Sequence, residues 1–377
     1  LALAHPGHPP LPTPTISIAP TTRAIPFELF RGNRIVIPAR VNGHDTQALL
    51  DTGASLTTID RTYARSVGLP EGFKIQGKGA GGDVEAELVT GLTLNVGALR
   101  IDNASVGVMD LAPVARSIGR PINAVLGRDF FNSAVISIDW ANKQIVVHSH
   151  ESFRPSVDAS AMQLTKKGPF NLINVSIAGA APVEALFDLG NGSALAIPAT
   201  YWKDHPEVAN LKYAAAVMGG VGGVHPARSV TIPQIVLAGK TFTDVPASLS
   251  ESGNNEDPSQ MTNVGIGLLK QFKVDLDLGR NRVYLVPRPD APPFDRDRAG
   301  VRFDLLGDRL KTVFVSPQGP AAAAGLKVGD EIVAVDGRHV TDSYYAGADW
   351  ARGEAGKTVV LDRADGSKVK ITLADYF

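Results

Sequence analysis

One block of sequence occurs twice in this chain, and its period constrains the fold more than any other feature. The first copy is Ala48-Leu49-Leu50-Asp51-Thr52-Gly53-Ala54-Ser55, an apolar, strand-like run that ends on a carboxylate and passes at once into glycine. Glycine there lets the backbone turn tightly and approach a ligand closely. The second copy, Glu184-Ala185-Leu186-Phe187-Asp188-Leu189-Gly190-Asn191-Gly192-Ser193, lies 137 residues on (188 − 51) and repeats the run, the Asp and the Gly. Each Asp is followed by a further apolar block, Ala124-Val125-Leu126-Gly127-Arg128-Asp129-Phe130-Phe131 in the first half and Val264-Gly265-Ile266-Gly267-Leu268-Leu269 in the second. Gly127 lies 76 positions after Asp51 and Gly267 lies 79 after Asp188. Beyond these glycines Val135 to Asp139 aligns with Val274 to Asp277, and Gln144 to Val147 with Arg282 to Leu285. Two copies of one unit, each presenting one Asp, are the simplest source of such a pattern.

Composition removes several classes of function. With 377 residues, 44% hydrophobic and 20% charged, the chain can bury cores for two or three domains. Its 37 Lys and Arg against 38 Asp and Glu leave a formal charge of −1, so nothing attracts nucleic acid or an anionic membrane in general. There is no cysteine, hence no disulfide, thiol nucleophile or Cys-based metal site. His5 with His8, and His148 with His150, lack further ligands nearby, and no His-Glu-X-X-His is present, so neither metal nor cofactor is expected. No Gly-X-Ser-X-Gly elbow occurs. No run approaches the roughly 18 apolar residues that a membrane helix requires.

In order, residues 1–29 read as a Pro-rich leader whose start, Leu1-Ala2-Leu3-Ala4, has the small apolar character of the end of a signal peptide, with order beginning near Phe27. That start favours a periplasmic or secreted location. Residues 30–150 form the first lobe, 151–168 a connector, 169–287 the second lobe and 288–299 a Pro-rich linker. Asn42-Gly43 is a hairpin turn that leads into the strand delivering Asp51, and Ala178-Gly179-Ala180 repeats the plan before Asp188. Each half then carries a glycine-rich loop, Gly77-Lys78-Gly79-Ala80-Gly81-Gly82 and Gly219-Gly220-Val221-Gly222-Gly223. The first lacks Gly-Lys-Ser/Thr and runs into strand-like Val84 to Val89, unlike a nucleotide loop. The second reads as a solvent-exposed hairpin tip. In residues 300–377 a strand at Thr312 to Val315, an Ala-rich turn of helix closed by Gly325, and the strand Glu331 to Val335 before Asp336-Gly337 form a third unit.

The paired Asp-X-Gly blocks resemble the aspartic peptidases, specifically the bacterial retropepsin-like members, over residues 30 to 288. The segment Ala324-Gly325-Leu326-Lys327-Val328-Gly329-Asp330 resembles PDZ domains of the bacterial periplasmic kind. Together these imply a mainly β fold of two tandem acid-protease-like β-barrel lobes plus a small α+β PDZ-like domain. The first resemblance implies a dyad of Asp51 and Asp188 supported by Thr52, Gly53, Ser55 and Gly190, with Gly77, Lys78, Gly79, Gly81 and Gly82 in a mobile flap over the substrate. The second implies a peptide-binding loop near Leu306, Gly307 and Leu310, although Asp308 stands where a negative ligand would approach.

Two carboxylates in contact cannot both ionise cheaply, so one keeps a proton and the pair activates a water without metal or cofactor. Leu189 departs from the Thr or Ser that the family has there, so one of two bracing hydroxyls is missing. Apolar Leu186, Phe187 and Leu189 place the proton-holding carboxyl at Asp188. The sequence leaves three readings. One is an endopeptidase acting on peptides or unfolded protein in the interlobe cleft, with the PDZ-like domain selecting or regulating substrate. Another is a weak or inactive peptide-binding scaffold of the same architecture. In the third, Asp51 pairs with Asp51 of another chain.

Overall fold

The computed structural model describes residues 11–20, 23–79, 82–251, 261–345 and 349–377, and it is mainly β. In the first lobe the hairpin Arg34–Val41 and His44–Leu50 turns at Asn42 and Gly43, both at positive φ as a tight hairpin demands. The strand Ala124–Leu126 runs parallel to His44–Leu50 and antiparallel to Thr58–Asp60, so the chain beyond Leu50 is held between two neighbours. The second lobe is built alike. Phe170–Ile177 and Val183–Phe187 turn at Ala178 and Gly179, and Asn263–Val264 runs parallel to Val183–Phe187 and antiparallel to Leu195–Ile197.

Two equivalent hydrogen bonds fix how the copies align. The Asp51 N–H donates to Leu126 O (3.1 Å) and the Asp188 N–H to Val264 O (3.0 Å). Leu126 is therefore equivalent to Val264, and Gly127 to Gly265 rather than to Gly267 as the sequence spacing suggested. The interval from Asp188 to Gly265 is 77, within one residue of the 76 in the first half.

The lobes share a third sheet of six strands, in the order Ser160–Gln163, Arg282–Pro287, Phe272–Asp277, Val135–Asp139, Gln144–His148 and Ile25–Pro26. At its centre Ile136 lies opposite Leu276 and Ile138 opposite Val274, all four buried, so one core runs through both lobes. Segments read as leader and connector enter sheets. Thr15–Ile18 pairs with Leu99–Met109 at the edge of the first lobe, and Ile25–Pro26 closes one end of the shared sheet. Order thus precedes Phe27. Edge positions are where a Pro-rich segment can pair without losing ladder donors. Residues 288–299 contain no strand or helix and lie against the second lobe: Lys270 pairs with Asp295, and Phe294 meets Phe242 edge-on at 5.9 Å.

The C-terminal domain orders its strands Val301–Leu306, Arg309–Val315, Glu331–Val335, Thr358–Arg363 and Lys368–Thr372. Leu306, Gly307, Asp308 and Arg309 form a tight hairpin turn between the first two strands, and Leu310 is fully buried opposite Ile332. The expected carboxylate-binding loop at Leu306, Gly307 and Leu310 is therefore not there, because the backbone is committed to the hairpin. The amides before the first strand already hold an internal carboxylate. Asp297 Oδ1 accepts the N–H of Ala299 (3.0 Å) and of Gly300 (3.1 Å), while Tyr376 donates its hydroxyl to Oδ2 (2.8 Å).

Because the shared sheet joins the lobes, trimming it should destabilise both together. Ile136→Ala is expected to cost about 2–5 kcal/mol in denaturant unfolding, with one transition for the two lobes.

Candidate active site

The two strand ends bring Asp51 and Asp188 face to face across the lobes. Asp51 Oδ1 accepts the N–H of Gly53 (2.8 Å) and of Ala54 (2.9 Å). Asp188 Oδ1 accepts the N–H of Gly190 (2.7 Å) and, from the other lobe, that of Gly53 (3.2 Å). One amide thus touches both carboxyls. Each carboxyl also rests on the opposite lobe's glycine: a Cβ on Gly53 would sit 2.8 Å from the Asp188 carboxyl, and one on Gly190 would collide with that of Asp51. No residue with a side chain fits either place.

Thr52 braces the pair. It is fully buried, its Oγ1 donates to Phe187 O (2.8 Å) and accepts the Leu189 N–H (2.9 Å), so its hydroxyl reaches across to the second lobe. Leu189 returns nothing from its side chain, which lies in the apolar core. Ser55 is half-buried and hydrogen-bonds to neither carboxyl. Ala54 contributes its N–H to Asp51 instead.

Asn263, which sequence reasoning missed, completes the second half-site. Its Nδ2 donates to Asp188 Oδ2 (2.7 Å), and its Oδ1 accepts from Asn191 Nδ2 (2.9 Å). The equivalent position in the first lobe is Val125. The available signal was a polar residue standing where the first copy of the block is apolar.

Asp188 therefore accepts hydrogen bonds on both oxygens and Asp51 on one. Burial, reinforced by the charge of Asp188 and a hydrogen bond with it, pushes Asp51 up to about 7. The sequence placed the proton-holding side at Asp188 on the strength of its apolar neighbours. The carboxyl raised in the structure is instead Asp51, because burial and the facing Asp188 both disfavour its charged form.

Two arginines lie beside the pair, and neither was singled out from sequence. Burial, followed by the charge of Arg352, pushes the Arg34 guanidinium down to about 10, while Asp51 and Asp188 act in the opposite sense. Arg128 is buried, its Nη1 reaches Thr52 O at 3.4 Å, and burial pushes it down to about 10 against the attraction of Asp188. Arg34 opens an apolar strand and Arg128 sits inside an apolar block, so each reads in sequence as the edge of a core segment. Asp139 accepts the N–H groups of Ala141 and Asn142 (3.0 Å each), as a turn-forming residue does. His150 pairs with Asp277 (2.8 Å) and His148 with Ser137 (3.2 Å), so the two histidines have separate partners.

Each lobe carries a glycine-tipped hairpin after its Asp block. Phe73–Gly79 pairs with Gly82–Val96, bringing Gly77 opposite Val84, Lys78 opposite Asp83 and Gly79 opposite Gly82; Gly81 lies outside the described residues. In the second lobe Tyr213–Gly220 pairs with Gly223–Leu237. The tips meet, since a side chain on Gly79 would run into the backbone of Val221, and Gly222 O lies 3.7 Å from where a Gly82 Cβ would be. The second loop is therefore not a free tip but packs against the tip of the first.

An aspartyl protease family model matches residues 37–130, which include Asp51, the first hairpin and Gly127. A PDZ domain family model matches residues 315–362. No curated protein matches the chain. Asp188 lies outside both matches, and its place beside Asp51 comes from the fold. Among the described residues, no cluster of His, Asp and Glu could hold a metal ion, and no helix is long and apolar enough to cross a membrane.

Asn263→Val removes a donor to a charged oxygen, an interaction of roughly 1.5–3 kcal/mol. Peptide hydrolysis by this variant is expected to fall by at least about tenfold in kcat/KM, with folding stability lowered by less than in Ile136→Ala.

Proposed function

We propose that this protein is an aspartic endopeptidase whose dyad, Asp51 and Asp188, lies within one chain. The observation that carries the reading is the Gly53 N–H donating to both carboxyls at the meeting point of two matched lobes. With the proton held on Asp51, Asp188 acts as the ionised member. It takes a proton from a water held between the pair as the water oxygen bonds to the scissile carbonyl carbon. Asp51, protonated, donates to the carbonyl oxygen. When the C–N bond breaks, the proton on Asp188 goes to the leaving amine, and Asp51 recovers its own from the new carboxyl. Water is the nucleophile throughout.

The paired hairpins supply a roof under which an extended chain can lie, and peptides or unfolded protein are the substrate class. PDZ domains bind peptides, and the C-terminal domain selects or regulates substrate. The one-sided brace at Thr52 favours the second reading, a peptide-binding protein with weak turnover, because a shift of about 1 Å in a reacting group can cost about a hundredfold. The pairing with Asp188 in the same chain supports a complete site in each monomer, so specific activity should not change with protein concentration.

The sign of the pH dependence follows from Asp51. The active form retains the Asp51 proton, so hydrolysis should decline as pH rises through about 7. Cleavage of a mixed peptide library from acidic to neutral pH tests this. The wild type is expected to cut, and Asp51→Asn and Asp188→Asn should each fall by at least about a thousandfold. Undiminished cleavage by either variant would remove the dyad from the mechanism.

A further inference from the structure

The sheet face that flanks Asp51 is not open to water. Leu50 points into the core of its lobe, but Leu49 and its cross-strand neighbour Val36 point the other way. With Ile122 they are buried in a single apolar cluster with Phe303, Leu305 and Tyr345 of the C-terminal domain. Apolar residues on the walls beside a peptidase dyad are surface that a substrate would otherwise cover. Here another part of the same chain covers it.

Polar contacts hold the domain there from both lobes. Arg302 Nη2 donates to Ser117 Oγ (2.9 Å) on the helix Ala112–Ile118 of the first lobe, and its Nη1 donates to Val217 O (3.0 Å) on the hairpin of the second. Ala215 N–H on that hairpin donates to Gln318 Oε1 (3.1 Å). Arg31 lies flat over the Tyr345 ring at 4.0 Å and pairs with Asp349 (3.3 Å), while Arg352 donates to Arg31 O (2.8 Å). Val221, at the tip of the second hairpin, packs against the same cluster. The C-terminal domain therefore spans from the strand that carries Asp51 to the tip of the second hairpin.

Building on the peptidase reading, we infer that the C-terminal domain is a cover on the first-lobe side of the cleft, which must lift before an extended chain can reach the dyad. The strand Val301–Leu306 shows how lifting is linked to a partner. Among the described residues it pairs only with Arg309–Val315, and the helix Ala112–Ile118 lies close against it. An unpaired strand edge is where an extended peptide adds to a sheet. A peptide taking that edge displaces the helix, and by linkage whatever lifts the cover favours binding at the edge. The partner that fits is thus an extended peptide segment, bound by the same surface that now closes the cleft. Residues 288–299, without strand or helix, join the domain to the second lobe, and an interface of this mixed polar kind within one chain permits relative motion.

The lack of cysteine makes the test direct. The full chain carrying Ser117→Cys and Arg302→Cys is joined by a bis-maleimide tether with a reducible disulfide at its centre, and peptide-library hydrolysis is followed before and after reduction. The expected result is at least a tenfold loss when tethered, recovery on reduction, and a several-fold rise in kcat/KM for untethered Arg302→Ala. Equal rates with the tether intact and broken would overturn the cover. If no form cuts, the peptidase reading fails, and the cover is judged by binding of a fluorescent peptide with a hydroxyethylene group in place of one amide. Binding only after reduction supports it, whereas equal binding or none in both states overturns it.

Discussion

Two carboxyl groups pressed together away from water cannot both be charged, and the rest of the fold is arranged around that constraint. The lobes must place them to within a fraction of an ångström while excluding any side chain between them, which is why glycine follows each Asp after one residue and leans on the opposite carboxyl. Burial and the facing carboxyl raise Asp51, which keeps the proton. The surroundings of the two also differ, since Asn263 donates to Asp188 and has no polar counterpart in the first lobe, where Val125 stands. Two copies of one unit have become unequal partners.

Rigidity comes from below and closure from above. The six-stranded sheet fuses the cores of the lobes, so the position of Asp51 relative to Asp188 is set by packed β-structure rather than by a hinge. The hairpins that meet at their tips carry Gly79, whose close approach to Val221 would not admit a side chain. Binding chemistry thus rests on a stiff floor beneath a roof made of strand ends. The C-terminal domain ties that roof to the wall beside Asp51, making access as much a property of the third domain as of the first two.

Much of this was legible in the sequence because apolar runs, turn residues and an internal repeat are local signals. The hairpins at Asn42-Gly43 and Ala178-Gly179 and the strands leading to Asp51 and Asp188 follow from such signals, while the Thr52 brace was implied by the family resemblance. What escaped depends on three-dimensional neighbours. The register that makes Gly265 the partner of Gly127 is fixed by hydrogen bonds to Leu126 and Val264, and one extra residue in the loop after Asp188 had hidden it. Arg34 and Asn263 sit in strand-like segments whose direction is invisible until the sheets are assembled. The proton was placed at Asp188 from adjacent apolar residues, whereas the raised carboxyl is Asp51, through its burial and through Asp188, 137 positions away. Leu306 and Gly307 look like a binding loop in sequence, yet Leu310 beyond them is committed to the core.

The central claim is that Asp51 holds a proton because it is buried and Asp188 faces it there. A carbon-13 NMR titration of the aspartate carboxyls, with the resonances of Asp51 and Asp188 assigned by substitution, reads this directly. In the wild type Asp51 should titrate near 7, and in Asp188→Asn it should move down toward the ordinary carboxylate range while remaining above it because burial persists. An Asp51 that titrates in the ordinary range in both proteins would contradict the account, since the two carboxyls would then be neighbours without sharing a proton.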